Sequence, residues 1–243
     1  MAGDVTSSGN VSQTALLMLF RKIVAGDQAA ASQQLAQSPS LAQLALITGA
    51  VRETASEYFF TEISHYCYAG DTALHLTAAA HQVAIARQLV SKGANVSASN
   101  RRGATPLHYA ADGAPGSTSW DPIAQYAIVE LLIKAGTDPN AKDKSGVAPL
   151  HRAVRTRCTG AVRALLDHGA DVRVRNKQGS TPLHLAIQTT GHTGSGSKES
   201  RDEQATIIRL LLDHRAHPSD QDANGKSVID AVKSAAIRAL LTQ

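Results

Sequence analysis

The chain has 243 residues, 43% apolar but only 4% aromatic, enough to bury a sizeable core in one large domain or two small ones. The formal charge of +4 and a pI near 9.2 allow an acidic partner without requiring one. Two distant cysteines, Cys67 and Cys158, without zinc-type spacing, exclude a zinc finger and point to a reducing compartment, here read as the cytoplasm.

In chain order, residues 1–14 are expected to be disordered. The apolar run Ala15 to Phe20 is too short for a secretory or membrane-spanning segment, so no membrane association is expected. Leu19 to Gln43 reads as a helix, a Gly-Asp break and a second helix, and residues 15–69 as degenerate capping helices followed by an aromatic connector. That connector, EYFFTEISHYCY, holds Tyr58, Phe59, Phe60, Tyr66 and Tyr68, and is expected to cover the open face of the first repeat. Glu62 and His65 at i, i+3 supply only half of a carboxylate-bridged metal site, so no metal is expected.

From residue 70 four related tetrapeptides organise the chain, ending at His75, His108, His151 and His184. Their spacings are 33, 43 and 33 residues, a unit of 33 lengthened once, and a degenerate fifth copy, SVID, ends at Asp230. A glycine precedes each copy, at Gly70, Gly103, Gly146, Gly179 and Gly225. Asn100, Asp143, Asn176 and Asp222 open D/N-x-x-G turns with Gly at the fourth position. Thr105 and Thr181 are placed to cap a helix through their hydroxyls, with Pro106 and Pro182 at its first position. A second helical stretch follows each short helix, and Gly93, Gly136 and Gly169 stand where a left-handed cap belongs. Arg215 occupies the equivalent place in the last copy, which is therefore expected to end differently.

A turn, two helices and a Gly at period 33, with T-P-L-H-x-A opening the first helix, resembles the ankyrin repeat. The resemblance covers Gly70 to Gln243 and implies an all-α ankyrin-repeat solenoid with degenerate caps at both ends. Residues 70–225 make four repeats, with inserts near 113–125 and 191–204, and residues 226–243 make C-terminal capping helices.

Successive equivalents in such a stack lie about 10 Å apart, whereas zinc ligands sit about 2 Å from one ion, so the four repeated histidines are read as structural. The stretch GHTGSGSKES, from Gly191, has the glycine spacing of a phosphate loop, but Ser197 and Lys198 are in the wrong order and a helix precedes it. It reads instead as a flexible insert, whose deletion from Thr193 to Glu203 is expected to leave the fold intact. The other insert carries Trp120, either a plug beneath its own loop or an exposed anchor. Trp120, His192 and Lys198 define a second, loop-built surface.

The resemblance implies a concave partner-binding face built from turn tips and first helices. Those positions carry Arg101, Arg102, Lys142, Lys144, Arg152, Arg155, Arg157, Arg173, Arg175 and Lys177. From Arg101 to Lys177 there are 12 basic and 7 acidic residues, against 12 and 13 in the rest. The expected function is a non-catalytic, monomeric protein-interaction module presenting this basic face to an acidic protein, with no cofactor. Two alternatives stay open: a nucleic-acid binder using the basic tips, disfavoured for lack of interleaved aromatics, and an enzyme with a site formed by the connector and inserts. Reversing Arg155, Arg173 and Arg175 to Glu is expected to abolish binding with the melting temperature nearly unchanged.

Overall fold

In the computed structural model of the protein, which describes residues 5–115, 120–188 and 197–242, the chain divides into two compact units. One comprises Met1–Ala110 with Leu131–Thr137, the other Ala111–Glu130 with Asp138–Gln243.

In the first unit, α1 (Val5–Val24) and α2 (Gln28–Gln37) form one helical pair, α3 (Ala73–Ala79) and α4 (Val83–Ser91) the next. α1 packs on α2 and α3, and α2 on α4, so first helices stack on first helices and second on second. Leu16, Leu19, Phe20 and Ile23, spaced on one face of α1, are fully buried. Glutamines stitch the helices: Gln34 donates to the Ala15 carbonyl at 2.8 Å within the first pair, and between the pairs Gln88 donates to the Ser32 hydroxyl at 3.0 Å and Gln82 to the Ile23 carbonyl.

The start of α1 differs from the expectation of disorder over residues 5–14, residues 1–4 lying outside the described ones. The helix already runs from Val5, and Gln13 grips the connector, donating to Ala45 O at 3.2 Å and accepting from Ile47 N at 2.8 Å. Those two bonds anchor a stretch whose composition alone does not order it.

The connector is a long antiparallel finger in the place of a short tip. Leu46 and Ala50 exchange backbone bonds with Asp71, Gly70 and Cys67. Beyond them β1 (Phe59–Phe60) pairs with β2 (His65–Tyr66), Phe59 opposite Tyr66. His65 stacks on Tyr109 of α5 (Pro106–Ala111) with centroids 4.2 Å apart, so the connector contacts the first helix of the second repeat. This hairpin is a small departure from a purely helical chain.

The second unit contains part of α6 (Pro122–Lys134), then α7 (Pro149–Arg155), α8 (Thr159–Asp167), α9 (Pro182–Ala186), α10 (Lys198–Asp213), α11 (Val228–Ala231) and α12 (Ala235–Leu241). α7 packs on α8 and α9, α8 on α10, and α10 on α9 and α12.

Both inserts are shorter as loops than their sequences indicate. α6 begins at Pro122 and α10 at Lys198, so part of each insert lengthens the second helix to 13 and 16 residues, against 9 in α4 and α8. Asp121 Oδ1 accepts from Ile123 N and Ala124 N, and Ser197 Oγ accepts from Ser200 N, two side-chain caps that nucleate the extra turns. Gln204 is buried and donates to the Ala186 and Gln188 carbonyls, and Thr159 donates to Glu203. Deleting Thr193 to Glu203 would therefore remove helix and a packed contact, contrary to the reading of that segment as dispensable.

The last full repeat ends as the others do. Gly93, Gly136 and Gly169 have φ of 81°, 103° and 88°, and Arg215 adopts the same left-handed conformation with φ 69°. The fixed i→i−5 closure, Ala216 N to Leu211 O at 2.9 Å, imposes the geometry whatever the side chain.

Candidate functional site

Each tip is built by one Asn or Asp whose backbone and side chain both close the turn. Asn100 Oδ1 accepts from Arg102 N and Ala104 N, Asp143 Oδ1 from Ser145 N and Val147 N, Asn176 Oδ1 from Gln178 N and Ser180 N, and Asp222 Oδ1 from Asn224 N and Lys226 N. Gly146 and Gly179, at φ 74° and 73°, close two of the turns; a Cβ at Gly179 would lie 2.4 Å from Ala223 N. Adjacent tips are bonded main chain to main chain: Arg101 N to Ala69 O (2.7 Å) in the first unit, Lys177 N to Ser145 O (3.2 Å) and Ala223 N to Gln178 O (3.0 Å) in the second.

The histidines brace these tips. Nδ1 of His75, His151 and His184 accepts the N–H of Thr72, Ala148 and Thr181 at 3.1 Å. Nε2 then donates to the carbonyls of Ala104, Ser180 and Lys226 at 3.1, 3.0 and 3.4 Å. His108 Nδ1 accepts from Thr105 N in the same way. The imidazole thus takes the role of the returning side chain in a capping box. The threonine hydroxyls lie 2.9 to 3.0 Å from Nδ1, so they act through the ring. One ring satisfies an orphan donor of its own helix and a carbonyl of the next tip, which requires the neutral form. Burial holds His151 and His184 below the usual imidazole range.

The predicted basic residues fall into two classes. Lys142, Lys144 and Lys177 are exposed, whereas the seven arginines, of which Arg152 and Arg157 are half-buried and the others exposed, also contact groups within the fold. Arg152 has a side chain only 12% exposed and donates to Asp112 at 2.8 Å and Asp143 at 3.3 Å. Burial would lower its guanidinium, but Asp112 and then Asp143 outweigh this and raise it. Arg155 lies 3.8 Å from the same Asp112 with its side chain 59% exposed. Arg157, half-buried at φ 60°, donates to the Gln188 carbonyl at 3.3 Å. Arg173 bonds Asp220 through Nε and Nη2 at 3.1 and 2.6 Å, and Arg175 lies 3.5 Å from it. The Asp220 side chain is 6% exposed. Reversal of Arg173 and Arg175 to Glu would set carboxylates against a buried carboxylate, so the expectation of an unchanged melting temperature does not hold for that variant.

In the first unit, Arg101 donates to the Ala50 carbonyl and Arg102 to the Tyr68 hydroxyl at 2.7 Å. Beneath them lies a buried network that the residue pattern did not single out. Asp71 accepts from Tyr68 N at 2.7 Å, Asn100 Nδ2 at 2.8 Å and Tyr109 Oη at 2.9 Å. Its signal was an Asp standing where the other copies have Ala104, Val147 and Ser180.

Of the second predicted surface, Trp120 and Lys198 lie among the described residues. Trp120 is half-buried, its Nε1 donating to Gln125 Oε1 at 3.2 Å, and Gly113 lies so close that a Cβ there would fall 2.7 Å from Cys158 Sγ and 3.1 Å from the indole nitrogen. It is therefore the plug rather than the anchor. Lys198 is exposed at the start of α10; Gly191, His192 and Gly196 lie outside the described residues. Both thiols are free and buried, and burial raises both. Among the described residues no cluster of His, Cys, Asp or Glu has the form of a metal site, and no helix is long and apolar enough to cross a membrane.

The family model for ankyrin repeats, in three copies, matches residues 30–118 and 123–222. No curated protein matches the chain.

Proposed function

Because this chain belongs to the ankyrin repeat family, whose repeats are generally protein–protein interaction modules, we propose that it is a non-catalytic, monomeric binding protein that presents a basic face to an acidic segment of a partner protein. The observation that carries the reading is the division among the charges of the second unit. Asp220, Asp112 and Asp143 are spent on Arg173, Arg175 and Arg152, whereas Lys142, Lys144 and Lys177 stay exposed on bonded tips. These acids and arginines neutralise one another within the fold, so the charge the tips offer an acidic segment is carried by the exposed lysines. The tips are rigid, so ordering the binding groups costs little on association. Arg155, Arg173 and Arg175 keep exposed surface and flank the lysines as secondary contacts. Two unpaired, buried thiols suit a reducing cytoplasm.

The test is a titration of a labelled Asp/Glu-rich peptide into the wild type and a Lys142→Glu/Lys144→Glu/Lys177→Glu variant. Loss of binding with an unchanged melting curve supports the reading. Equal binding overturns it, and tighter binding of single-stranded RNA of the same charge reassigns the face to nucleic acid.

A further inference from the structure

Arg52, Arg101 and Arg102 converge on an open pocket of about 490 Å³ in the first unit, together with Val51, Tyr66 and Tyr68. Its volume lies within the range of small-ligand and side-chain pockets. Two of the three arginines on its rim are held in place. Arg101 is fixed by its N–H to Ala69 O at 2.7 Å and by its guanidinium to the Ala50 carbonyl. Arg102 is fixed by its N–H to Asn100 Oδ1 at 2.9 Å and by Nη1 to the Tyr68 hydroxyl at 2.7 Å. Both guanidiniums lie over the Tyr68 ring, their carbons 5.2 and 4.9 Å from its centroid. Each of these ties uses part of a five-donor fork, so donors remain on both. Tyr68 is itself held from below by Asp71, whose oxygens are already occupied by Tyr68 N, Asn100 and Tyr109.

Two features define the missing ligand. The first is charge: among the described residues no acidic residue lines the pocket and none of the three arginines is within ion-pair distance of a carboxylate. The nearby Glu53, Glu57 and Glu62 are exposed and outside the lining. The second is apolar surface: Val51 and Tyr66 are each 40% exposed, an area that an aromatic ring would cover. A single carboxylate would leave the three guanidiniums under-compensated, while a phosphate monoester carries nearly two charges and three acceptor oxygens suited to forked donors. A phosphoserine would satisfy the arginines and leave Val51 and Tyr66 open.

We infer that this pocket binds a phosphotyrosine side chain of a partner protein, with the phosphate on Arg52, Arg101 and Arg102 and the ring on Val51 and Tyr66. The inference rests on the reading of the chain as a protein-binding module, but its site is built from other residues than the lysines of that reading.

The experiment uses the full chain and fluorescence anisotropy with four Gly/Ser-flanked peptides carrying phosphotyrosine, tyrosine, phosphoserine or glutamate. The phosphotyrosine peptide should bind at least about tenfold tighter than each of the others. Arg52→Ala, at an exposed position outside the bonded network, should remove most of that preference without altering the melting curve. Tyr66→Ala should narrow the gap between phosphotyrosine and phosphoserine. Equal binding of the tyrosine and phosphotyrosine peptides, or wild-type affinity in Arg52→Ala, would overturn the proposal. So would phosphoserine binding as tightly as phosphotyrosine, which would mark a site for the anion alone. The Lys142→Glu/Lys144→Glu/Lys177→Glu variant should keep phosphotyrosine binding; its loss would overturn the assignment to this pocket, while failure of the acidic-tip reading alone leaves the preference intact.

Discussion

Replacing Arg152 by Ala should unfold the second unit far more easily than its place on a predicted binding face implies. The guanidinium spans Asp112 and Asp143 at 2.8 and 3.3 Å, and the three side chains are 12%, 20% and 10% exposed. Removing one partner of a buried ion pair costs about 3–5 kcal/mol. Two features reduce that here: both carboxylates keep some contact with water, and Asp143 retains the Ser145 and Val147 N–H groups. The expected loss is about 2–3 kcal/mol, a large share of the roughly 5–15 kcal/mol that holds a domain folded. Arg155→Ala is the internal control: at 3.8 Å from Asp112 with 59% of its side chain exposed, it should cost less than about 0.5 kcal/mol. Urea unfolding followed by circular dichroism at neutral pH separates the two. The difference should shrink in acid, where protonated carboxylates no longer need the cation. An Arg152→Ala midpoint matching that of Arg155→Ala would refute the claim that this residue is structural.

Ala148→Thr should add about 1 kcal/mol to the unfolding free energy, because His151 is the one tip histidine whose N-cap residue lacks the hydroxyl that Thr72, Thr105 and Thr181 place at Nδ1; a lower urea midpoint would show that the extra methyl does not fit. Arg215→Gly should stabilise by about 1 kcal/mol, since the residue is exposed and left-handed at φ 69°; an unchanged midpoint would mean that the conformation carries no strain. Stability should fall as pH drops below 6.5. His151 and His184 titrate near 6.5 when unfolded and lower in the fold, so in that window the unfolded chain holds more protons and acid favours it. Urea midpoints from pH 8 to 5 check this, and a flat profile would contradict it.

Repeat boundaries were legible because their determinants are local. An Asn or Asp, a Gly three residues on and a His five residues after that specify the turn, the left-handed closure and the cap without reference to distant residues. The charges were not legible in the same way, since pairing is decided across repeats. Arg152 reaches Asp112 at a separation of 40 residues and Arg173 reaches Asp220 at 47, so a row of arginines looked uniformly available while most of it was already engaged. The connector was readable as aromatic but not as a hairpin, because its register depends on Leu46 meeting Asp71 and Ala50 meeting Cys67. The helical parts of the inserts were hidden for a similar reason: Gln204 is polar, and only the carbonyls of Ala186 and Gln188 explain why it belongs to a buried helix.

Selection of bound peptides from a random library displayed on phage, against the wild type and the Lys142→Glu/Lys144→Glu/Lys177→Glu variant in parallel, tests the central claim without presupposing the partner. The account predicts that wild-type selection enriches peptides rich in Asp and Glu and that the variant, folded to the same melting temperature, does not retain them. Enrichment of neutral or apolar peptides, or of the same acidic peptides by both proteins, would contradict a partner-binding face made by the exposed lysines.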